Sequence, residues 1–464
     1  MKKTSIKKGL RAIIWILVAW PVWLAAQEAP PIVEAPRVLD LEAACRLALA
    51  ANPTLEAAAA RVEAAAQRVR QAQASYLPSL DAAAGLTRMD MAENDYRTTL
   101  AQARFFNPAA TVPDPEDVYQ AELTARWTVF DGFRRRFALL AARSGAQAAG
   151  ESSDESRRLL LAAVAEAFHG AQLAREAVAI AEADARYNQR LTEEAEIRRR
   201  VGTGALSEVL NFQVAANAAR ADVIGAGQQL DAVRSALAAL LGFESGRLPD
   251  NWLTAELKPE TGADGIVPEA ADQIAYALVH RPDLRRGAEE IRRADAEIGA
   301  ARSGYWPTVS VFATVDGDRT NDARWTADDL GDAMGITLSH NLFAGGQTRA
   351  RVAESRMTRQ ALEKDLEDQR LQASAQVVQA LSDLSAAGQQ LALQRENARL
   401  VQRNRDLVEK EYAVGQASLV RLNEAQRNLV SAQGRLAQAR VALDQARFSL
   451  DTATARSLAR FREE

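Results

Sequence analysis

Two hydrophobic periods alternate along the chain, one of two residues and one of seven. Tyr119, Ala121, Leu123, Ala125, Trp127 and Val129 are apolar or aromatic, while Gln120, Glu122, Thr124, Arg126 and Thr128 between them are polar. A period of two predicts a strand with one dry face and one wet face, and about ten such residues suit a tilted membrane-barrel strand. Met334, Ile336 and Leu338, set against Gly335, Thr337 and Ser339, predict another strand. Two weaker ones are expected at Leu80, Ala82, Ala84, Leu86 and at Val309, Val311, Ala313, Val315. Strands alone fit a water-soluble sandwich as well as a barrel. In a barrel, Tyr119, Leu123, Trp127, Met334, Ile336 and Leu338 face the membrane.

The seven-residue period is sharpest at Leu422, Leu429, Leu436, Leu443 and Leu450, with Ala425, Ala432, Ala439 and Ala446 three positions after the first four. This predicts a coiled-coil seam whose small residues let helix backbones approach closely. Val209, Ala216, Val223, Leu230 and Leu237 repeat it, accompanied by Phe212, Ala219, Ala226 and Val233. Pro53 opens a helix that Pro78 ends, and no proline interrupts the chain between Gly132 and Gly202. The latter stretch predicts a helix of roughly 100 Å at 1.5 Å per residue. A helix over 206–241 is about half as long. Added to the Pro53 helix it nearly matches the long one, so the two shorter helices are expected to stack end to end beside it.

The whole plan occurs twice. Asn52-Pro53-Thr54-Leu55 and Tyr76-Leu77-Pro78 return as Arg281-Pro282-Asp283-Leu284 and Tyr305-Trp306-Pro307 at an offset of 229. Phe130-Asp131-Gly132 and Val201-Gly202-Thr203 return as Phe343-Ala344-Gly345 and Val414-Gly415-Gln416 at 213. The difference, 229 − 213 = 16, assigns one indel to the loops between paired strands, near 88–118 and 316–328. The expected organisation is a signal (1–26), a first repeat (27–241), a Gly- and Pro-rich linker (242–268), a second repeat (269–451) and a tail (452–464).

Lys2, Lys3, Lys7, Lys8 and Arg11 precede an apolar run ending in Ala25 and Ala26, the layout of an export signal cleaved near Gln27. With Gln27 at the cleavage point, and Cys45 too far downstream, a lipoprotein is not expected. Beyond the signal no apolar run is long enough for a membrane helix, so an exported chain enters a membrane only as a closed barrel. Four strands are too few, since about eight is the usual minimum. Several chains must contribute. A net charge of −4 argues against nucleic acid. His169, His280 and His340 lack paired ligand spacing, and no phosphate loop, activated serine or cysteine site appears, so no metal, cofactor or catalytic residue is expected. Arg134-Arg135-Arg136 and Arg198-Arg199-Arg200 are expected as solvated helix ends.

In the order of these landmarks, doubled and with heptads between them, the chain resembles the TolC-type outer-membrane factor family over nearly its whole mature length. The residues that carry the resemblance include Tyr76-Leu77-Pro78, Phe130-Asp131-Gly132, Phe343-Ala344-Gly345-Gly346 and the two hairpin tips. It implies a mainly α fold with a membrane β-barrel portion: duplicated long hairpins forming a trimeric α-helical barrel, and four strands per chain in a shared 12-stranded outer-membrane barrel. It also implies a passive export duct, contacting outer-membrane lipid and reaching through the periplasm to a periplasmic adaptor (membrane fusion protein) and an inner-membrane pump.

In family terms the adaptor docks at the tips: Val201, Gly202, Thr203, Gly204 and Ala205, then Val414, Gly415, Gln416, Ala417 and Ser418. A glycine serves a tight reversal there with or without a docking role. The resemblance likewise marks Glu208, Tyr412, Arg421 and Glu424 as a periplasmic gate, with Arg421 and Glu424 spaced to pair within one helix. The competing expectation is a periplasmic adaptor or structural coiled-coil protein outside the membrane.

Overall fold

The structure, a computed structural model, describes residues 38–249, 252–257 and 268–461. The expected export signal lies outside them. In chain order the elements are β1 (Val38–Leu39), α1 (Leu41–Ala51), α2 (Pro53–Ala74), β2 (Ser79–Met89), α3 (Glu93–Phe106), β3 (Glu116–Phe130), α4 (Arg134–Arg200) and α5 (Leu206–Leu240). Then come β4 (Leu253–Thr254), α6 (Ala270–His280), α7 (Pro282–Arg302), β5 (Thr308–Thr320), β6 (Gly331–Ser339), α8 (Gln347–Ala413), α9 (Leu419–Ala453) and α10 (Arg456–Arg460).

The four long strands form one antiparallel sheet in the order β2-β3-β5-β6. Directly paired residues share a face. Leu123 pairs with Ala82 and Val315, Trp127 with Val311, and Val311 and Ala313 with Ile336 and Met334. The register thus gathers the apolar sets of all four strands, including the six expected membrane-facing residues, on one face. The opposite face is polar, and there Thr124 and Thr314 share a hydroxyl hydrogen bond of 2.9 Å. Met334 and Ile336 are 81% and 74% exposed, where a sandwich would cover them. That exposure departs from a sandwich closed within one chain. No described helix is long and apolar enough to cross a membrane.

Between β2 and β3 lie 26 residues (90–115), against 10 between β5 and β6 (321–330), and 26 − 10 = 16 accounts for the indel. The longer connection, expected as an exposed loop, carries the helix α3. Glu93 and Asp95 in its first turn complement the helix dipole, and Arg97 bonds Glu93 one turn back.

α4 and α8 are each 67 residues, α5 and α9 each 35, and α2 and α7 are 22 and 21. α4 packs against α2 and α5 on one side and α7 and α9 on the other, and α8 packs against α7 and α9. The short helices therefore stack as expected, and the joints between them are visible. Asn52, the N-cap of α2, donates from Nδ2 to the carbonyl of Leu240, the last residue of α5, at 2.8 Å. In the second repeat Arg281, the N-cap of α7, donates to the carbonyl of Ala453, the last residue of α9, at 3.1 Å. Each donor ends one short helix by starting the next. Arg281 is buried beside Asp283 (2.8 Å). Burial opposes the Asp283 charge, but hydrogen bonds and charge from Arg281 outweigh it and hold this carboxyl below the usual range.

The heptad residues form the helix seam: Leu422, Leu429, Leu443 and Leu450 are buried, as are Ala425, Ala432, Ala439 and Ala446. A larger core around the first joint unites Leu39, Cys45, Leu161, Phe168, Leu237 and Trp252. Burial pushes the Cys45 thiol up to about 12, leaving it unreactive. Trp252 shows that part of the expected linker folds onto the first repeat, where β4 pairs in parallel with β1. Arg135 corrects another expectation: it is not solvated but bonds Asp131, the Ser75 carbonyl and the Val129 carbonyl, locking the strand-to-helix turn.

Arg281→Ala strips the Asp283 carboxylate of its guanidinium, leaving it the Leu284 amide at 3.0 Å, and leaves the Ala453 carbonyl without its donor; it should cost about 3 kcal/mol in denaturant unfolding. Asn52→Ala should cost about 1 kcal/mol. Equal losses would contradict the buried-charge account of the second joint.

Candidate functional site

The two hairpin tips are built alike. Gly202 and Gly415 adopt φ of 82° and 78°, a region that penalises any Cβ. The Thr203 amide bonds the Arg198 carbonyl at 2.9 Å, and the Gln416 amide bonds the Glu411 carbonyl at 2.8 Å, each closing the end of a long helix. Val201 and Val414 stand 68% and 70% exposed at the turns. Beneath them Leu191, Val209, Phe212, Val408 and Leu422 form one core shared by all four hairpin helices.

Just inside each tip an ion pair ties the two helices of the hairpin. Arg198 on α4 meets Glu208 on α5 at 3.7 Å, and Glu411 on α8 meets Arg421 on α9 at 3.0 Å. Both positions obey the repeat offset, since 198 + 213 = 411 and 208 + 213 = 421. The copies keep the clasp and reverse its polarity.

The hairpins are also joined to each other. The Tyr412 hydroxyl on α8 donates to Glu208 Oε1, its ring lies edge-on to Phe212, and the Arg198 guanidinium sits 5.2 Å from the ring centre. Of the four expected gate residues, Glu208 and Tyr412 meet. Arg421 does not pair with Glu424. It reaches back across the turn to Glu411, because the adjacent antiparallel helix offers its carboxylate at hydrogen-bond distance. Glu424 stands exposed without a partner among the described residues. Arg198, expected as a solvated helix end, is half-buried in this cluster.

About three turns deeper along α4 the Tyr187 ring is sandwiched between the guanidinium groups of Arg190 (5.2 Å) and Arg405 (5.1 Å). Both arginines bond Glu409 at 2.6 Å, linking α4 to α8. Burial, followed by the nearby Glu409 charge, pushes the Tyr187 hydroxyl up to about 12. For Glu409 burial raises the pKa, but hydrogen bonds and charge from Arg190 and Arg405 win and lower it. No periodicity or motif marks this collar in the sequence, because its residues are spread over more than 200 positions.

A sequence model described as outer membrane efflux protein matches residues 44–243 and 274–456. Protein CyaE of Bordetella pertussis is 28% identical over 375 residues, 80% of this chain and 73% of that protein. The pyoverdine export outer membrane protein OpmQ of Pseudomonas aeruginosa is 25% identical over 379 residues, 79% of this chain and 76% of that protein. The CmeC outer membrane channel of Campylobacter jejuni superposes with a TM-score of 0.74 at 16% identity, covering 89% of this chain and 85% of that one. The open-state MtrE outer membrane channel of Neisseria gonorrhoeae gives 0.71 at 21% identity, covering 89% and 88%.

Two outcomes check the tip. Arg421→Glu should destabilise thermal unfolding by about 0.5–1 kcal/mol, and adding Glu411→Arg should restore most of it, as expected of a partly exposed pair; no coupling in this double-mutant cycle contradicts the clasp. Because the folded pKa of Glu409 is lowered, its contribution is present above the ordinary glutamate pKa, about 4.3, and is lost as pH falls through the lower folded value. Glu409→Gln should therefore lower Tm at neutral pH, with the gap narrowing over that acid window.

Proposed function

We propose, from the premise that this chain belongs to the outer membrane efflux protein family, that it is the outer-membrane exit duct of a tripartite efflux or type I secretion assembly. It is a homotrimer whose sheets close one barrel in outer-membrane lipid and whose stacked helices continue it as a periplasmic tunnel. A periplasmic adaptor engages the tips around Gly202 and Gly415, and an inner-membrane pump supplies the energy. The supporting observation is the sheet: two open edges, one apolar face left uncovered, and helices that continue each strand downward.

The gate of this duct is the bond of Tyr412 to Glu208, braced by Arg198 and by the two clasps. Opening the tip requires the hairpins to part, and this contact joins them. It is a hydrogen bond to a carboxylate, worth more than a neutral one.

Purified protein in a planar bilayer should form channels, and Tyr412→Phe should raise the open-to-closed ratio about tenfold. An unchanged ratio overturns the gate. Recovery of the chain wholly in the soluble periplasmic fraction overturns the duct and favours a soluble coiled-coil role. Cysteines at Thr203 and Gln416 should crosslink to the adaptor, whereas crosslinking only at distant helix positions would remove docking from the tips.

A further inference from the structure

The collar where strands become helices carries a cleft that the duct's export role does not use. It has a volume of about 600 Å³ and lies over α7, walled by the first turns of α4 and by α8. Phe133, Phe137, Ile298 and Trp306 supply apolar walls, and Arg302 and Arg356 reach into it. Asp295, the acidic residue of the lining, is bonded by Arg359. The four charged groups sum to 3 − 1 = +2. Neither Arg302 nor Arg356 has an acidic partner among the described residues.

Phe133 ties the cleft to the apolar face of the sheet. A bulge after Thr128 brings Phe130 opposite Val309, the residue that also pairs with Leu338, so Phe130 shares the apolar face. The Phe133 ring packs edge-on against Phe130, with centroids 5.5 Å apart. Phe133 holds this place with φ of 68°, a left-handed conformation that an aromatic residue rarely adopts. Phe133 remains 51% exposed, as do Trp306 of the same cleft at 57% and its chain neighbour Tyr305 at 53%. Such aromatics mark the membrane–water boundary of barrel proteins, and the arginines lie just below them. Because α7 lies between α4 and α8 of one chain, the cleft is away from the edges at which neighbouring copies would join.

We propose that this cleft binds an anionic phospholipid of the periplasmic leaflet. Arg302 and Arg356 hold the headgroup phosphate, and the acyl chains rise over Phe133 and Trp306 to the apolar band at Val309 and Leu338. Guanidinium forks match phosphate oxygens, and the aromatic wall continues into the lipid-facing surface, so one amphipathic anion satisfies both. This rests on the barrel reading.

Full-length protein, extracted in mild detergent and exposed to phosphatidylglycerol or phosphatidylethanolamine vesicles, is assayed for bound lipid per chain by native mass spectrometry. The unsubstituted protein should retain phosphatidylglycerol, and Arg302→Gln with Arg356→Gln should bind it about tenfold more weakly, with phosphatidylethanolamine unaffected. Ile298→Trp, which fills the cleft and keeps the charges, should also displace the lipid. Equal phosphatidylglycerol retention by both variants overturns the site, as does complete displacement by inorganic phosphate, which indicates a simple anion site. A chain that never enters bilayers overturns the barrel itself, whereas an inserted chain with indifferent variants overturns the cleft alone.

Discussion

The sheet cannot be completed by one chain. β2 and β6 present unpaired edges, and the Leu80, Trp127, Ile336 face has nothing packed on it. In hydrocarbon each unpaired backbone group costs several kcal/mol, so the edges must meet other edges before the apolar face can enter a membrane. Everything beneath follows from that demand. A wall of helices in the lateral order α2, α4, α7, α8 continues strands in the order β2, β3, β5, β6.

A 67-residue helix needs a neighbour of comparable length, and each repeat supplies one in two pieces. The joints at Asn52 and Arg281 make the pieces act as one rod while leaving α1 and α6 room to pack at the seam. The two repeats solve this differently, one with a neutral amide and the other with a buried, carboxylate-paired guanidinium. At the tips the difference is sharper: Arg198–Glu208 and Glu411–Arg421 occupy equivalent positions with opposite polarity. Duplication has preserved the geometry of contacts rather than their charge. The same freedom lets Glu208 serve Tyr412 of the other hairpin in addition to its own clasp.

Periodicity made the large elements legible, because alternation at Tyr119–Leu123–Trp127 and heptads at Leu422–Leu429–Leu443 are repeated often enough to outweigh local noise. α3 was not legible: one short helix has no heptads and lies in a segment otherwise marked by Pro108, Pro113 and Pro115. The contacts at the tips were half legible. Arg421 and Glu424 fit a one-helix spacing, yet the antiparallel neighbour brings Glu411 closer, and a spacing rule within one helix contains no information about the next. The offset of 213 held that information, since it pairs Arg198 with Glu411 and Glu208 with Arg421. Arg135 was misread for the same reason, its partners at Ser75 and Val129 being set by the turn rather than by helix position.

The most direct measurement is disulfide crosslinking between the free edges. Cysteines introduced in pairs along β2 (Ala82, Ala84) and β6 (Met334, Ile336), all on the same face of the sheet, are oxidised in native membranes; the single natural cysteine, Cys45, is buried and silent. Closure between copies predicts a covalent trimer for the pairs in register. Monomer at every pair, with the protein present in the membrane, would contradict it.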